Sequence, residues 1–141
     1  MEITVENSNC SPYVGSGQSA GLDLRAKSSA TVSFGEITAV ETGVRVAIPD
    51  GHVGLLFARS GLAAYHGVRL VNSVGVIDSD YRGEIVAAMT KDTPGAHTIN
   101  PGDRIAQLVV IPILSPLTWE TTFSLDETER GEDGFGSTGV S

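Results

Sequence analysis

Short apolar runs, each closed by turn residues, set the rhythm of this chain. The stretches "ITV" (3–5), "ATVSF" (30–34), "ITAVETGVRVAIP" (37–49) and "HVGLLFA" (52–58) read as strands. So do "VRLVNSVGVI" (68–77), "EIVAAMT" (84–90), "HTIN" (97–100) and "RIAQLVVIPI" (104–113). Val44, Val46 and Ile48 alternate with polar or small residues, the period of a half-buried strand. Between the runs, "PDG" (49–51), "TPG" (93–95) and "NPGD" (100–103) carry turn chemistry. Many short strands with turns at a spacing of roughly ten residues predict an all-β sandwich, jelly roll or barrel.

One segment departs from this pattern. "RSGLAAYHG" (59–67) offers Ser60 as an N-cap, Leu62, Ala63 and Ala64 as helix formers, and Gly67 as a stop. It predicts one short helix, whose free N–H groups beside Arg59 and the Ser60 hydroxyl suit an anion.

Composition narrows the picture. A chain of 141 residues is long enough for one domain with a real core. No apolar run approaches the ~18 residues of a membrane span, and the N-terminus lacks the pattern of a secretory signal. Cys10 is the single cysteine, so no internal disulfide forms, and a cytoplasmic (or nuclear) location is expected. The net charge of −8 and the lack of Lys/Arg runs argue against binding long nucleic acid. They leave room for a small anion held at a point. His52, His66 and His97 are scattered, with no zinc-type spacing.

After Leu125 the chain changes character. "DETERGED" (126–133) holds five carboxylates in eight residues, followed by "GFGSTGVS". Residues 1–125 therefore read as the β domain and 126–141 as a flexible arm. By composition this is either a frayed end or an arm that orders over a ligand, with Phe135 stacking and Arg130, Ser137 and Thr138 touching an anion.

The stretch "VGVIDSDYRGE" (74–84) places Asp78, Asp80, Tyr81 and Arg82 within five residues beside apolar strands. A turn made only to reverse the chain needs none of these groups. Together with "AGLDLRA" (20–26), "ARSGLA" (58–63), "GDRIAQL" (102–108) and "RGEDGFGSTG" (130–139), this stretch closely resembles the motif set of the trimeric dUTP pyrophosphatase (dUTPase) family. The resemblance runs from about residue 20 to the end.

It implies a β-clip or distorted jelly-roll barrel, assembled as a homotrimer whose active sites are shared between subunits. It implies hydrolysis of dUTP to dUMP and pyrophosphate, with Mg2+ carried by the triphosphate. Asp78 matches the carboxylate that activates a water for attack on the α-phosphorus. A carboxylate is ionised at neutral pH and accepts a hydrogen bond from water. Asn72 would pair with the uracil edge through an amide that both donates and accepts. Tyr81 would press on the deoxyribose and leave no room for a 2′-hydroxyl. Arg59, Ser60, Gly61 and Gln107 match the phosphate contacts. Arg130, Phe135, Gly136, Ser137 and Thr138 match the arm that closes over a neighbour's site. No direct protein ligand to the metal is implied, Asp23 reaching it at most through water.

Asp133 departs from the family's usual glycine, which adds charge and restricts φ in the arm. Arg82 and Glu84 read as an exposed ion pair or a subunit contact, and Arg25 as a partner for Asp23. A related dCTP deaminase would need a catalytic glutamate where Ala88 stands. A nucleotide-responsive regulatory protein that binds a partner through this fold is the alternative from another class.

Overall fold

The structure, a computed structural model, describes residues 1–114 and 117–132. Among the described residues, eleven strands and one α-helix follow in chain order, with a single 3-10 turn at Ser8–Cys10. They are β1 (Glu2–Val5), β2 (Leu22–Arg25), β3 (Ala30–Ser33), β4 (Thr38–Glu41), β5 (Val44–Ala47), β6 (His52–Ala58) and α1 (Ser60–His66). Then come β7 (Val68–Leu70), β8 (Val74–Ile77), β9 (Val86–Lys91), β10 (Ala96–Ile99) and β11 (Arg104–Pro112). The strands form four small sheets ordered β1-β5, β10-β3, β2-β11-β6-β8 and β4-β9-β7. Every pairing within them is antiparallel. The expected all-β, jelly-roll-like body with one short helix is what forms.

Inward-facing residues of all four sheets meet in one core, where Leu24, Val32, Val44, Leu70, Met89, Ile99, Ile105 and Leu108 are almost completely buried. Burial of this kind contributes about 1.5–3 kcal/mol per large aliphatic side chain. In β5 the alternation is visible directly: Val44 and Val46 are buried and Arg45 is exposed.

Two apolar runs that read as continuous strands are each broken. Between β4 and β5 the chain turns at Thr42 and Gly43. The buried Thr42 hydroxyl donates to the Ile85 carbonyl at 2.6 Å and accepts from the Val44 N–H at 3.2 Å. Those bonds give the corner the polar partners a buried turn requires. Between β7 and β8 the chain turns at Asn72 and Ser73, the latter at φ 61°. Each run thus crosses from one sheet to another: β4 pairs with β9 and β5 with β1, while β7 pairs with β9 and β8 with β6. Strand β2 was not anticipated, since "LDLR" is short and half charged.

Helix α1 begins one residue earlier than expected. Arg59 occupies the N-cap without a side-chain cap bond, and Ser60 is the first helical residue. Gly67 ends it as expected, at φ 66°, a left-handed conformation that favours glycine. Beyond Pro112 the described residues form no further strand or helix. Leu114, Leu117, Trp119, Phe123 and Leu125 are all exposed there.

Candidate active site

The stretch 74–84 builds one wall of an open cavity of about 250 Å3. Leu56, Leu70 and Ile85 give it apolar lining, while Asn72, Asp78, Tyr81 and Glu84 supply the polar groups. Asn72 comes from the β7–β8 turn, and Asp78 immediately follows β8. Among the described residues the Asp78 carboxylate has no hydrogen-bond or ionic partner, so both oxygens stand free at an exposed position. Its backbone carbonyl accepts from the Tyr81 N–H at 3.2 Å and closes a tight turn.

Tyr81 is fixed by two features. Its hydroxyl donates to the Glu84 carbonyl at 3.0 Å, and its ring lies against Gly83. A Cβ at position 83 would fall 2.8 Å from Cε2 and nearer still to Cζ and the hydroxyl oxygen. Glycine at 83 is therefore a packing requirement of the ring. The Arg82–Glu84 pair does not form. Arg82 donates to the carbonyls of Ser79 (2.7 Å) and Tyr81 (3.0 Å), bracing the turn from outside. Glu84 instead accepts from the Gly43 N–H at 2.7 Å and ties the cavity to the β4–β5 corner. Ala88 also lines the cavity, so the position where a deaminase would place its glutamate presents a methyl group here.

A second group assembles around Asp23 on β2, whose side chain is largely buried. Arg104 donates to its Oδ2 at 3.0 Å, and the Arg59 Nε lies 3.4 Å from Oδ1. Arg59 also donates to the Arg104 carbonyl at 3.1 Å. Gln107 stands opposite Asp23 in the β11–β2 register, which puts both side chains on one face of the sheet. Ser60 and Gly61 open α1 next to Arg59. With only seven residues, α1 adds little dipole. The local positive charge comes from guanidinium groups, with Arg59 and Arg104 both held on the Asp23 carboxylate.

The expected Asp23–Arg25 pair is replaced. Both Asp23 oxygens are taken by Arg59 and Arg104, and Arg25 turns to the carbonyls of Ser11 (3.2 Å) and Gly102 (2.8 Å). Tyr13, which no sequence signal singled out, exchanges two backbone hydrogen bonds with Asp23. Arg104 was read as structural, and its link to Asp23 could not be seen because the two lie 81 residues apart.

Beside Arg59 and Arg104 lies another cleft, lined also by Leu62, His66, His97 and Asp103. The His66 and His97 rings meet at a tilt of 32° with centroids 4.4 Å apart. Burial, then His66 and Lys91, hold His97 below the usual imidazole value, while Asp103 pulls the other way. This cleft shares no lining residue with the Asn72–Asp78–Tyr81 cavity. The expected site residues are thus sorted into two groups on one chain. Arg130 falls within the described residues; Asp133, Phe135, Gly136, Ser137 and Thr138 lie outside them.

No group of three or more His, Cys, Asp or Glu side chains among the described residues is arranged to hold a metal ion. No helix there is long and apolar enough to cross a membrane.

The family model described as dUTPase matches residues 9–139. The deoxyuridine 5'-triphosphate nucleotidohydrolase of Cutibacterium acnes is 50% identical over 123 residues, covering 86% of this chain and 80% of that one. Its counterpart from Anaplasma marginale is 45% identical over 131 residues, covering 92% and 88%. Among solved structures, the dUTPase of Staphylococcus bacteriophage 80alpha with dUPNHPP has a TM-score of 0.88 at 28% identity, over 99% of this chain and 98% of that one. With the family model spanning residues 9–139 and relatives at 45–50% identity over most of their length, this chain belongs to the dUTPase family.

Proposed function

We propose that this protein hydrolyses dUTP to dUMP and pyrophosphate by attack of water on the α-phosphorus. The observation that carries this reading is the cavity in which Asn72, the free carboxylate of Asp78 and Tyr81 meet. Asp78 accepts a proton from the attacking water and holds it in line, a contribution of about 10²–10⁴ in rate for a well-placed base. Asn72 pairs with the uracil edge. Tyr81 packs against C2′ of the sugar, so a ribose hydroxyl would be buried without a partner. Thymine is disfavoured because its methyl meets the strand wall, an overpacking cost of about 1–3 kcal/mol.

Arg59, Ser60, Gly61 and Gln107 receive the polyphosphate. Both Asp23 oxygens face arginines, which suits a metal that rides on the triphosphate and meets Asp23 only through water. Such a Mg2+ neutralises phosphate charge. Arg130, Phe135, Gly136, Ser137 and Thr138 form the arm, residues 126–141, that closes over the site.

Because Arg59 lines a cleft separate from the Asn72–Asp78–Tyr81 cavity of the same chain, the complete site draws on more than one subunit of a homotrimer. The exposed Leu114, Leu117, Trp119, Phe123 and Leu125 support that assembly, since a run of large apolar side chains favours cover by another copy. The test is pyrophosphate release from dUTP, dTTP, UTP and dCTP in parallel, with Asp78→Asn as control. Turnover of dUTP alone, lost in the variant while nucleotide binding remains, is expected; equal turnover of dCTP or an active variant refutes it.

The likeness to the bacteriophage 80alpha protein supports a second role. Phage dUTPases are described as controlling transfer of virulence genes by a proto-oncogenic G protein-like mechanism. A nucleotide-responsive protein partner would be captured from host extract only with a non-hydrolysable dUTP analogue present, or only without it. Capture independent of nucleotide removes this reading.

A further inference from the structure

Two guanidinium groups flank one aromatic ring beside Asp23. The Cζ of Arg104 lies 4.8 Å from the centroid of Tyr13, and that of Arg25 lies 5.7 Å from it. Arg104 connects this ring to the phosphate group of residues. Its Nη1 donates to Asp23 Oδ2 at 3.0 Å, and its carbonyl accepts from Arg59 Nη1 at 3.1 Å. Tyr13 also grips Asp23 by the backbone, through paired bonds of 2.9 and 2.8 Å.

The electrostatics explain why a ring belongs here. Arg59 and Arg104 share the one Asp23 carboxylate, while Arg25 bonds to backbone carbonyls and meets the same ring, so two positive charges stand on a single negative one. A π-face is negative at its centre and attracts a planar cation without adding a full charge that would repel triphosphate. A carboxylate in the same place would hold Arg104 more strongly and weaken anion binding. Among the described residues the Tyr13 hydroxyl has no hydrogen-bond partner, so the ring face is the part that acts.

We propose that Tyr13 is a positioning residue for triphosphate binding: its ring holds Arg104, which in turn sets Asp23 and Arg59 in the orientation that receives the phosphates. This rests on the proposed assignment of Arg59 to phosphate. Tyr13 lies outside the five stretches that carry the motif resemblance, and it acts through Arg104 without touching substrate.

The test is steady-state kinetics of the full chain with dUTP and Mg2+, alongside thermal melts. Tyr13→Leu is expected to raise KM about two- to fivefold, the size of a half-exposed cation–π contact, with kcat held. Tyr13→Phe, which keeps the face, recovers the wild-type KM. In an Arg59→Ala background Tyr13→Leu adds nothing further, because its effect runs through Arg59. If Tyr13→Leu melts early, Arg104→Lys keeps the charge, loses the flat stack and is expected to raise KM by a similar factor. A wild-type KM in Tyr13→Leu or Arg104→Lys overturns the proposal. So does a Phe variant as impaired as the Leu variant, or independent multiplication of the Tyr13 and Arg59 effects. If Arg59→Ala leaves KM unchanged, the phosphate assignment of Arg59 fails and takes this inference with it; if Arg59→Ala raises KM while Tyr13→Leu does not, only the role of Tyr13 fails.

Discussion

Gly83→Ala adds one methyl group at the most crowded point of the cavity wall. The new Cβ would lie 2.8 Å from Tyr81 Cε2 and overlap Cζ and the hydroxyl oxygen, so the ring must move. Gly83 is not in the left-handed region, and the perturbation is therefore steric, with no backbone strain to add. Tyr81 is 45% exposed, so an outward swing is open to it. The swing breaks the hydroxyl bond to the Glu84 carbonyl, a loss of about 0.5–1.5 kcal/mol. Any residual overlap adds to this, towards the overpacking range of about 1–3 kcal/mol. Stability should fall by about 1–2 kcal/mol, read from urea melts.

Selectivity should change more than stability. A 2′-hydroxyl buried without a partner costs about 1–3 kcal/mol, so on the proposed assignment the Tyr81 wall should supply a preference of about fivefold to 150-fold for dUTP over UTP. With the ring displaced, most of that factor should vanish from the ratio of kcat/KM values, measured by pyrophosphate release. Tyr81→Ala should reproduce the loss without the added methyl. A Gly83→Ala protein that folds and keeps the wild-type dUTP:UTP ratio would refute the assignment of Tyr81 to the sugar.

Thr42→Val keeps shape but removes the buried hydroxyl that bonds Ile85 and Val44, and should cost about 1–3 kcal/mol in urea melts; an unchanged midpoint would mean that the corner is held by other contacts. His97, held below the ordinary imidazole value, resists protonation in the folded state, so its contribution is intact above pH 6.5 and is lost as pH falls below that value. The melting temperature should drop from pH 7 to pH 5, and His97→Gln should flatten the slope; a slope unchanged in the variant places the titration elsewhere. Truncation after Leu125 should leave the proposed trimer intact by light scattering and raise the KM for dUTP, since stacking on a base contributes about 1–3 kcal/mol; an unchanged KM would assign no closing role to residues 126–141.

The strands of this protein were legible because their alternation is strong. "HVGLLFA" was bounded correctly at both ends, since "PDG" precedes it and "RSG" follows. Asn72, Asp78 and Tyr81 could be named together from the family resemblance, and because all three fall within ten residues, the β7–β8 turn, β8 and the turn after it bring them to one cavity. The residues around Asp23 could be named singly, but their partners could not be inferred. Asp23 has an arginine two positions away in its own strand, and neighbourhood in sequence favoured that pairing. The actual partners, Arg59 and Arg104, arrive from the end of β6 and the start of β11.

What the sequence determined by itself was local. Side-chain period, turn chemistry and the left-handed stop at Gly67 depend on a few adjacent residues and elementary sterics. What only the tertiary structure decided was where an apolar run changes sheet, which arginines share a carboxylate, and which ring lies beneath a guanidinium. A run such as 37–49 is apolar on both sides of its corner, so burial looks the same whether the strand continues or turns at Thr42. The choice is made by hydrogen-bond partners far along the chain, the Ile85 carbonyl for Thr42 and Arg104 for Asp23. Those partners come within reach only when the sheets have packed.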